Sequence, residues 1–188
     1  MSRRRYRKVI PQGVLLEQVT KPAEEEFKII LMAADSIIPI NAGRRYLVQL
    51  LKGSKTQVMF RNNADKSKYY GLLSYYSLDE IQKQVDWLIV NNWLRLEQEW
   101  KTPHVIHSPP GWELVKQIWV EELLKMMRTS CEKFFKEITD INPQIKYLLL
   151  DTIAEKSIRE MVPILKEWQK SASRKLNAKI EFTLMKIQ

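Results

Sequence analysis

The chain has 188 residues, 45% hydrophobic and 28% charged, which is the composition of a folded globular protein and excludes wholesale disorder. It carries 31 Lys/Arg against 22 Asp/Glu, a net charge of +9, and no stretch approaches the roughly 20 apolar residues that span a bilayer. One cysteine, Cys131, allows neither an internal disulfide nor a cysteine-rich zinc site, and points to a reducing, cytoplasmic setting.

The charge is unevenly placed. Residues 1–76 hold 14 Lys/Arg against 6 Asp/Glu, residues 77–118 hold 4 against 6, and residues 119–188 hold 13 against 10. Such asymmetry suggests a polyanionic partner, most often nucleic acid, with an anionic membrane surface as the rival.

The opening "MSRRRYRK" contains Arg3, Arg4, Arg5, Arg7 and Lys8 but no apolar core or cleavage site of a secretory signal. It reads as a mobile basic arm over residues 1–21. The first helix is expected from Pro22 to about Ile37, with Glu24, Glu25 and Glu26 in the first turn complementing the helix dipole. Phe27, Ile30, Leu31 and Ala34 form its core stripe.

A second helix lies within "NAGRRYLVQLLKGSK", with Asn41 as the candidate cap and Gly53 as the stop. Leu47, Leu50, Leu51 and Ser54 line one face, and Arg45, Gln49 and Lys52 the other. Next comes a polar connection with a short strand expected at Gln57–Arg61. The third helix starts at "SLDEIQKQVDWLIVNN", where Ser77 and Glu80 have capping-box spacing. Its buried stripe is Ile81, Val85, Leu88 and Ile89.

Leu94 and Leu96 then alternate with Arg95 and Glu97, the period of a half-buried strand, and residues 94–107 read as a hairpin with Trp100 and Lys101 at its tip. "SPPGWELVKQ" leads into another helix. From Trp119 onward the pattern is almost wholly helical, broken at Asn142-Pro143 and perturbed by Pro163. Leu123, Met127, Phe134 and Ile138 form an apolar face, and Cys131 is expected to be a small buried side chain. The fold class is mainly α with a small β-hairpin: a winged helix over residues 22–118, plus a helical extension over 119–188.

The segments "AGRRYLVQLLKGSK", "KSKYYGLLSYYSLDEIQKQVDWLIVNNWLRLE" and "KTPHVIHSPPGWELV" resemble, in order and spacing, the RQC domain of RecQ-family DNA helicases. The resemblance covers about residues 27–118 and is nearest to the stand-alone RQC-minor DNA-binding proteins. "KGSK" lacks the spacing of a phosphate-binding G-x-x-x-x-G-K-[ST] loop, and one cysteine cannot supply the four-cysteine zinc module that precedes many of these domains. The resemblance thus implies a DNA-gripping module without a motor, no enzyme and no cofactor.

DNA is gripped first through its phosphates. Arg44, Arg45, Gln49, Lys52, Ser54 and Lys55 supply donors in one segment, although a solvated helix face would look the same. Arg61, Lys66 and Lys68 add charge to the following connection, where solvated loop residues are the alternative. Outward on the third helix stand Asp79, Glu80, Gln82, Lys83 and Asp86. Three carboxylates facing phosphate-rich groove walls disfavour deep base reading, so weak sequence specificity is expected.

The resemblance implies that an aromatic wing residue, here Trp100, stacks on a terminal base pair or wedges strands apart; packing onto Trp112 or the C-terminal helices is the competing role. His104, beside the tip, is a candidate phosphate contact or a partly exposed strand histidine. His104 and His107 point to opposite faces of a strand, so no metal site is expected.

The expected partner is DNA at ends, forks or single-strand/duplex junctions. The arm would follow the adjacent backbone or groove, or form a disordered tail. The extension would dock a helicase, a nuclease or a second copy, or cap the wing domain; no membrane partner is expected. A dimeric winged-helix transcription regulator and a protein-interaction adaptor are the alternatives.

Overall fold

Pro22 is buried, and the three glutamates after it open α1 (Glu24–Ile37), with Glu26 accepting a 2.8 Å hydrogen bond from the Ala23 amide. The computed structural model describes residues 19–99 and 102–187. The proposed arm residues Arg3, Arg4, Arg5, Arg7 and Lys8, and the tip residues Trp100 and Lys101, lie outside the described residues. Two units are distinguished, residues 1–115 and 116–188.

In the first unit α1 buries Ile30, Leu31 and Ala34, as its spacing predicts. A 3₁₀ turn, Ile38–Ile40, follows and ends at Asn41 with φ 50°. Asn41 therefore closes that turn and does not cap the next helix. The cap of α2 (Arg44–Lys52) is Gly43, whose extended backbone and carbonyl start the helix. Gly53, at φ 71°, ends it in the left-handed conformation that glycine adopts without strain.

Residues Gln57–Arg61 are not a strand but a short helix, α3. The Thr56 carbonyl accepts from the Met59 and Phe60 amides, and Met59 is fully buried. Five residues are too few to display a period, so anchoring of Met59 in the core overrides the β-propensity of Val58 and Phe60.

Ser77 caps α4 (Leu78–Val90) in the expected reciprocal manner: its hydroxyl accepts from the Glu80 amide at 3.2 Å, and its amide donates to Glu80 at 2.7 Å. Ile81, Val85, Leu88 and Ile89 are buried. The wing follows, β1 (Leu94–Glu99) paired antiparallel with β2 (Thr102–His107), in a register from Leu94↔His107 to Glu99↔Thr102. Leu94 and Leu96 point into the core, each contributing about 1.5–3 kcal/mol by burial.

The base of the wing is tied at one serine. Ser108 is fully buried; its amide donates to the Trp93 carbonyl at 3.2 Å and its hydroxyl to the same oxygen at 3.0 Å. From there α5 (Pro109–Thr129) runs on. Helices in this order, followed by a two-stranded wing, make a mainly α winged-helix fold.

The second unit continues with α6 (Cys131–Ile138), α7 (Pro143–Glu155), α8 (Val162–Gln169) and α9 (Arg174–Ile187). Leu123, Met127, Phe134 and Ile138 are buried as expected. Cys131 is exposed, which corrects the expectation. It shares a stripe with Phe134 and Ile138 but is the first residue after the Ser130 cap, and the stripe is covered only from Phe134 onward.

Candidate nucleic-acid interface

The chain enters α2 alongside the wing. The Val105 amide donates to the Ala42 carbonyl at 2.9 Å, and a side chain at Gly43 would meet the Pro103 carbonyl at 2.8 Å. The first turn of α2 is thereby held against β2. On the open side of α2 stand Arg45, exposed, and Gln49, half-buried. Neither side chain has a hydrogen-bond or ion-pair partner among the described residues.

The other two donors predicted on this helix are engaged inside the protein. Arg44 Nη1 donates to Asp86 Oδ1 at 2.7 Å, with the Arg44 side chain 24% and the Asp86 side chain 7% exposed. Burial pushes the Asp86 carboxyl above its ordinary range, against the opposing hydrogen bond and charge of Arg44. Lys52 Nζ donates to the carbonyls of Ser74 and Tyr76, both at 2.7 Å. Its ammonium pins the loop before α4 onto the end of α2, where the Gly71 and Leu73 amides also donate to Leu50 and Leu51 at 2.9 Å.

Beyond α2, the Ser54 amide donates to the Gln49 carbonyl at 2.9 Å, and its own carbonyl accepts from the Tyr70 hydroxyl at 3.1 Å. Lys55, Arg61, Lys66 and Lys68 are exposed. Lys68 Nζ stands 5.1 Å from the centre of the Tyr69 ring, and Asp65, also exposed, precedes Lys66. α2 and the connection after it thus present several exposed cations.

The outward face of α4 differs from expectation. Asp86 is not part of it, because the first turn of α2 lies across that side and Arg44 covers the carboxylate. Asp79 is exposed but pairs with Lys83 at 2.6 Å, and Glu80 is occupied by the Ser77 amide. The Thr20 amide donates to the Lys83 carbonyl at 3.3 Å, so the segment before α1 also runs beside this helix. Gln82 is the exposed side chain left there with hydrogen-bonding capacity and no partner among the described residues.

His104 is buried, not partly exposed, and sits opposite Glu97 in the ladder with Nε2 3.8 Å from Oε2. Register sets that pairing: directly opposed residues in an antiparallel pair share a face. His107 is buried too; its Nε2 stands 3.4 Å from Asp35 Oδ1, outside hydrogen-bond geometry, and its ring stacks on Trp112. Among the described residues no three His, Cys, Asp or Glu side chains gather as a metal site. No described helix is long and apolar enough to cross a membrane.

Exposed cations on and after a helix that starts against a two-stranded wing are features of DNA-binding winged helices. The family model of the RQC domain matches residues 17–130, more than half of the chain. The chain belongs to the RQC domain family. No curated protein and no solved structure matches it.

RQC domains are DNA-binding winged helices, and the parts of this RQC domain that sequence reasoning missed are those that fix α2 against its neighbours. Asp86 is the anchor of Arg44, 42 positions away. Local periodicity cannot reveal such a pairing. Gly43 had a weak signal, since a glycine directly before a helical arginine pair fits a cap without needing a side chain.

Proposed function

We propose that this RQC protein is a non-catalytic DNA-binding protein that recognises the backbone and structure of DNA (ends, forks or single-strand/duplex junctions) more than its sequence. The observation that carries the reading is the open face of α2, with Arg45 and Gln49, held against β2 through Ala42 and Gly43. Backbone phosphates lying across this face would meet one cation and one amide donor on a rigid support, with Lys55, Arg61, Lys66 and Lys68 as further exposed cations in the connection that follows. Ser54 has a helper's place, beside Lys55 at the end of α2.

Arg44 and Lys52 serve the grip indirectly, since each is bonded within the domain. Weak sequence specificity is supported by α4, where the Asp79–Lys83 pair and the Ser77–Glu80 cap leave few groups for base edges. On the same reading Trp100 stacks on the terminal base pair of a junction, an interaction on the order of 1–3 kcal/mol. Lys101 reaches a nearby phosphate, and the basic arm follows the adjacent backbone or groove.

Fluorescence anisotropy with single-stranded, blunt duplex and forked DNA across a salt series tests the reading. Forked DNA is expected to bind tightest, with affinity falling roughly 10³–10⁵-fold between about 50 and 200 mM salt if about six to ten phosphates are held. Arg45→Glu and Lys55→Glu, each outside the internal bonding of the domain, should each weaken all DNAs alike by about tenfold and flatten the salt slope. Trp100→Ala should reduce the preference for the fork. Weak, equal binding to all three DNAs, unmoved by charge reversal, would sink the proposal.

A further inference from the structure

Next to the open face of α2 lies a cleft of about 300 Å³, bounded by the end of α1 with its 3₁₀ turn, by α2, and by the turn after α3. Its floor is apolar: Ile37 and Leu50 are 2% and 1% exposed. Its rim is different. Ile40, 54% exposed, and Tyr46, half-buried, stand on the sides, and Asn62, Asn63 and Lys66 are exposed at the edge.

Asn63 is held at φ 52°, its amide donating to the Phe60 carbonyl at 3.0 Å, so the turn presents two neighbouring carboxamides. Among the described residues, neither carboxamide, nor the Tyr46 hydroxyl, nor the Lys66 ammonium has a hydrogen-bond partner. These are groups built to bond, placed around a greasy floor.

The chemistry narrows the occupant. A floor and sides of Ile and Tyr suit a flat group with apolar faces, and carboxamides suit a rim of alternating donors and acceptors, which is how Asn pairs with the edge of a base. Lys66, with Arg61 in the preceding helix, supplies positive charge, and Asp65 alone offsets it in this turn. The volume is at the small end for ligand sites, enough for one base and not for a stack. A paired base has both faces covered and its pairing edge occupied, so only an unpaired one can enter.

The geometry points to this cleft as a binding site for a single unpaired nucleotide, its base between Ile40 and Tyr46, its edge read by Asn62 and Asn63, and its phosphate near Lys66. The inference rests on the DNA-binding reading above and extends it. Tyr46 follows Arg45 and Leu50 follows Gln49 in α2, so the cleft adjoins the face proposed to hold phosphates. The site would let the protein hold the single-stranded side of a junction by its bases, while α2 and the wing hold the duplex by its phosphates.

The test compares three DNAs by anisotropy: a blunt duplex, the same duplex with a short unpaired tail, and that duplex with an abasic tail of equal length. The base-bearing tail is expected to bind about tenfold more tightly than the abasic one. The double variant Ile40→Ser/Asn62→Ala, at two exposed positions outside the phosphate grip, should erase that difference and leave the blunt duplex within about twofold.

Equal affinity for the two tails would overturn the site. So would a tail preference that survives in the double variant, especially one lost in Trp100→Ala, which would assign base recognition to the wing. Failure of the blunt duplex to bind would instead count against the phosphate grip, and the two tails, offered as free single strands, would still judge the cleft.

Discussion

Gly111→Ala is expected to destabilise the protein by about 3 kcal/mol or more, a fall in melting temperature of about 6–12 °C for a chain of this size. A β-carbon at this position would lie 2.0 Å from the Trp93 carbonyl oxygen and 3.0 Å from its carbon. Both obstacles are backbone, so no side chain can rotate aside. The same corner joins the end of α4 to β1 and β2 to α5, with Ser108 donating to the Trp93 carbonyl and accepting from the Gly111 amide at 3.2 Å. Opening it to admit a methyl group would break the bonds that set the wing on the helices. Pro110→Ala, one residue earlier and exposed, should change the melting temperature little. Thermal denaturation of the two variants side by side checks the claim, and equal melting temperatures would refute it.

Arg44→Ala is expected to cost about 3 kcal/mol near neutral pH, at the low end for a broken buried pair because the Arg44 side chain is 24% exposed. The loss should depend on pH. Burial already holds the Asp86 carboxyl above its ordinary range, with Arg44 as the opposing influence, and removing the guanidinium leaves burial unopposed.

A carboxyl whose pKa is higher folded than unfolded favours the folded state once protonated. That contribution is complete below the unfolded value of about 3.9 and is lost as pH rises through the folded value. The deficit of the variant relative to the parent protein should therefore be largest near pH 7 and narrow as pH falls. Urea denaturation at about pH 7 and about pH 4.5 reads it directly. Asp86→Asn, which still accepts from Arg44 without a buried charge, should be the milder change at neutral pH. A deficit of equal size at both pH values would show that Asp86 stays ionised throughout.

Much of this fold is written in short-range pattern. The Ser77–Glu80 cap needs only a three-residue spacing, and the Leu94/Leu96 alternation only a period of two. The stripes of α1 and α4 need only the helical repeat, so these elements could be read directly. The α3 segment could not, because five residues ending in a loop carry no period, and burial of Met59 decided the matter. Cys131 lay on the right stripe yet is exposed, since a stripe says which side faces inward but not how far along the helix the cover extends.

The candidate site divides along the same line. By itself the sequence determined that the chain has a winged-helix core, that its excess of cations lies in residues 1–76, and that it resembles RQC domains. All of these rest on spacing, composition and order. Only the tertiary structure decided which cations face solvent. Arg44 is turned inward by a carboxylate 42 positions away and Lys52 by two carbonyls 22 and 24 positions away, while Arg45 and Gln49 remain open beside the wing. A helical repeat can sort residues by face. Whether a face meets water or another segment depends on what the fold brings against it, and that partner lies beyond the reach of any local period.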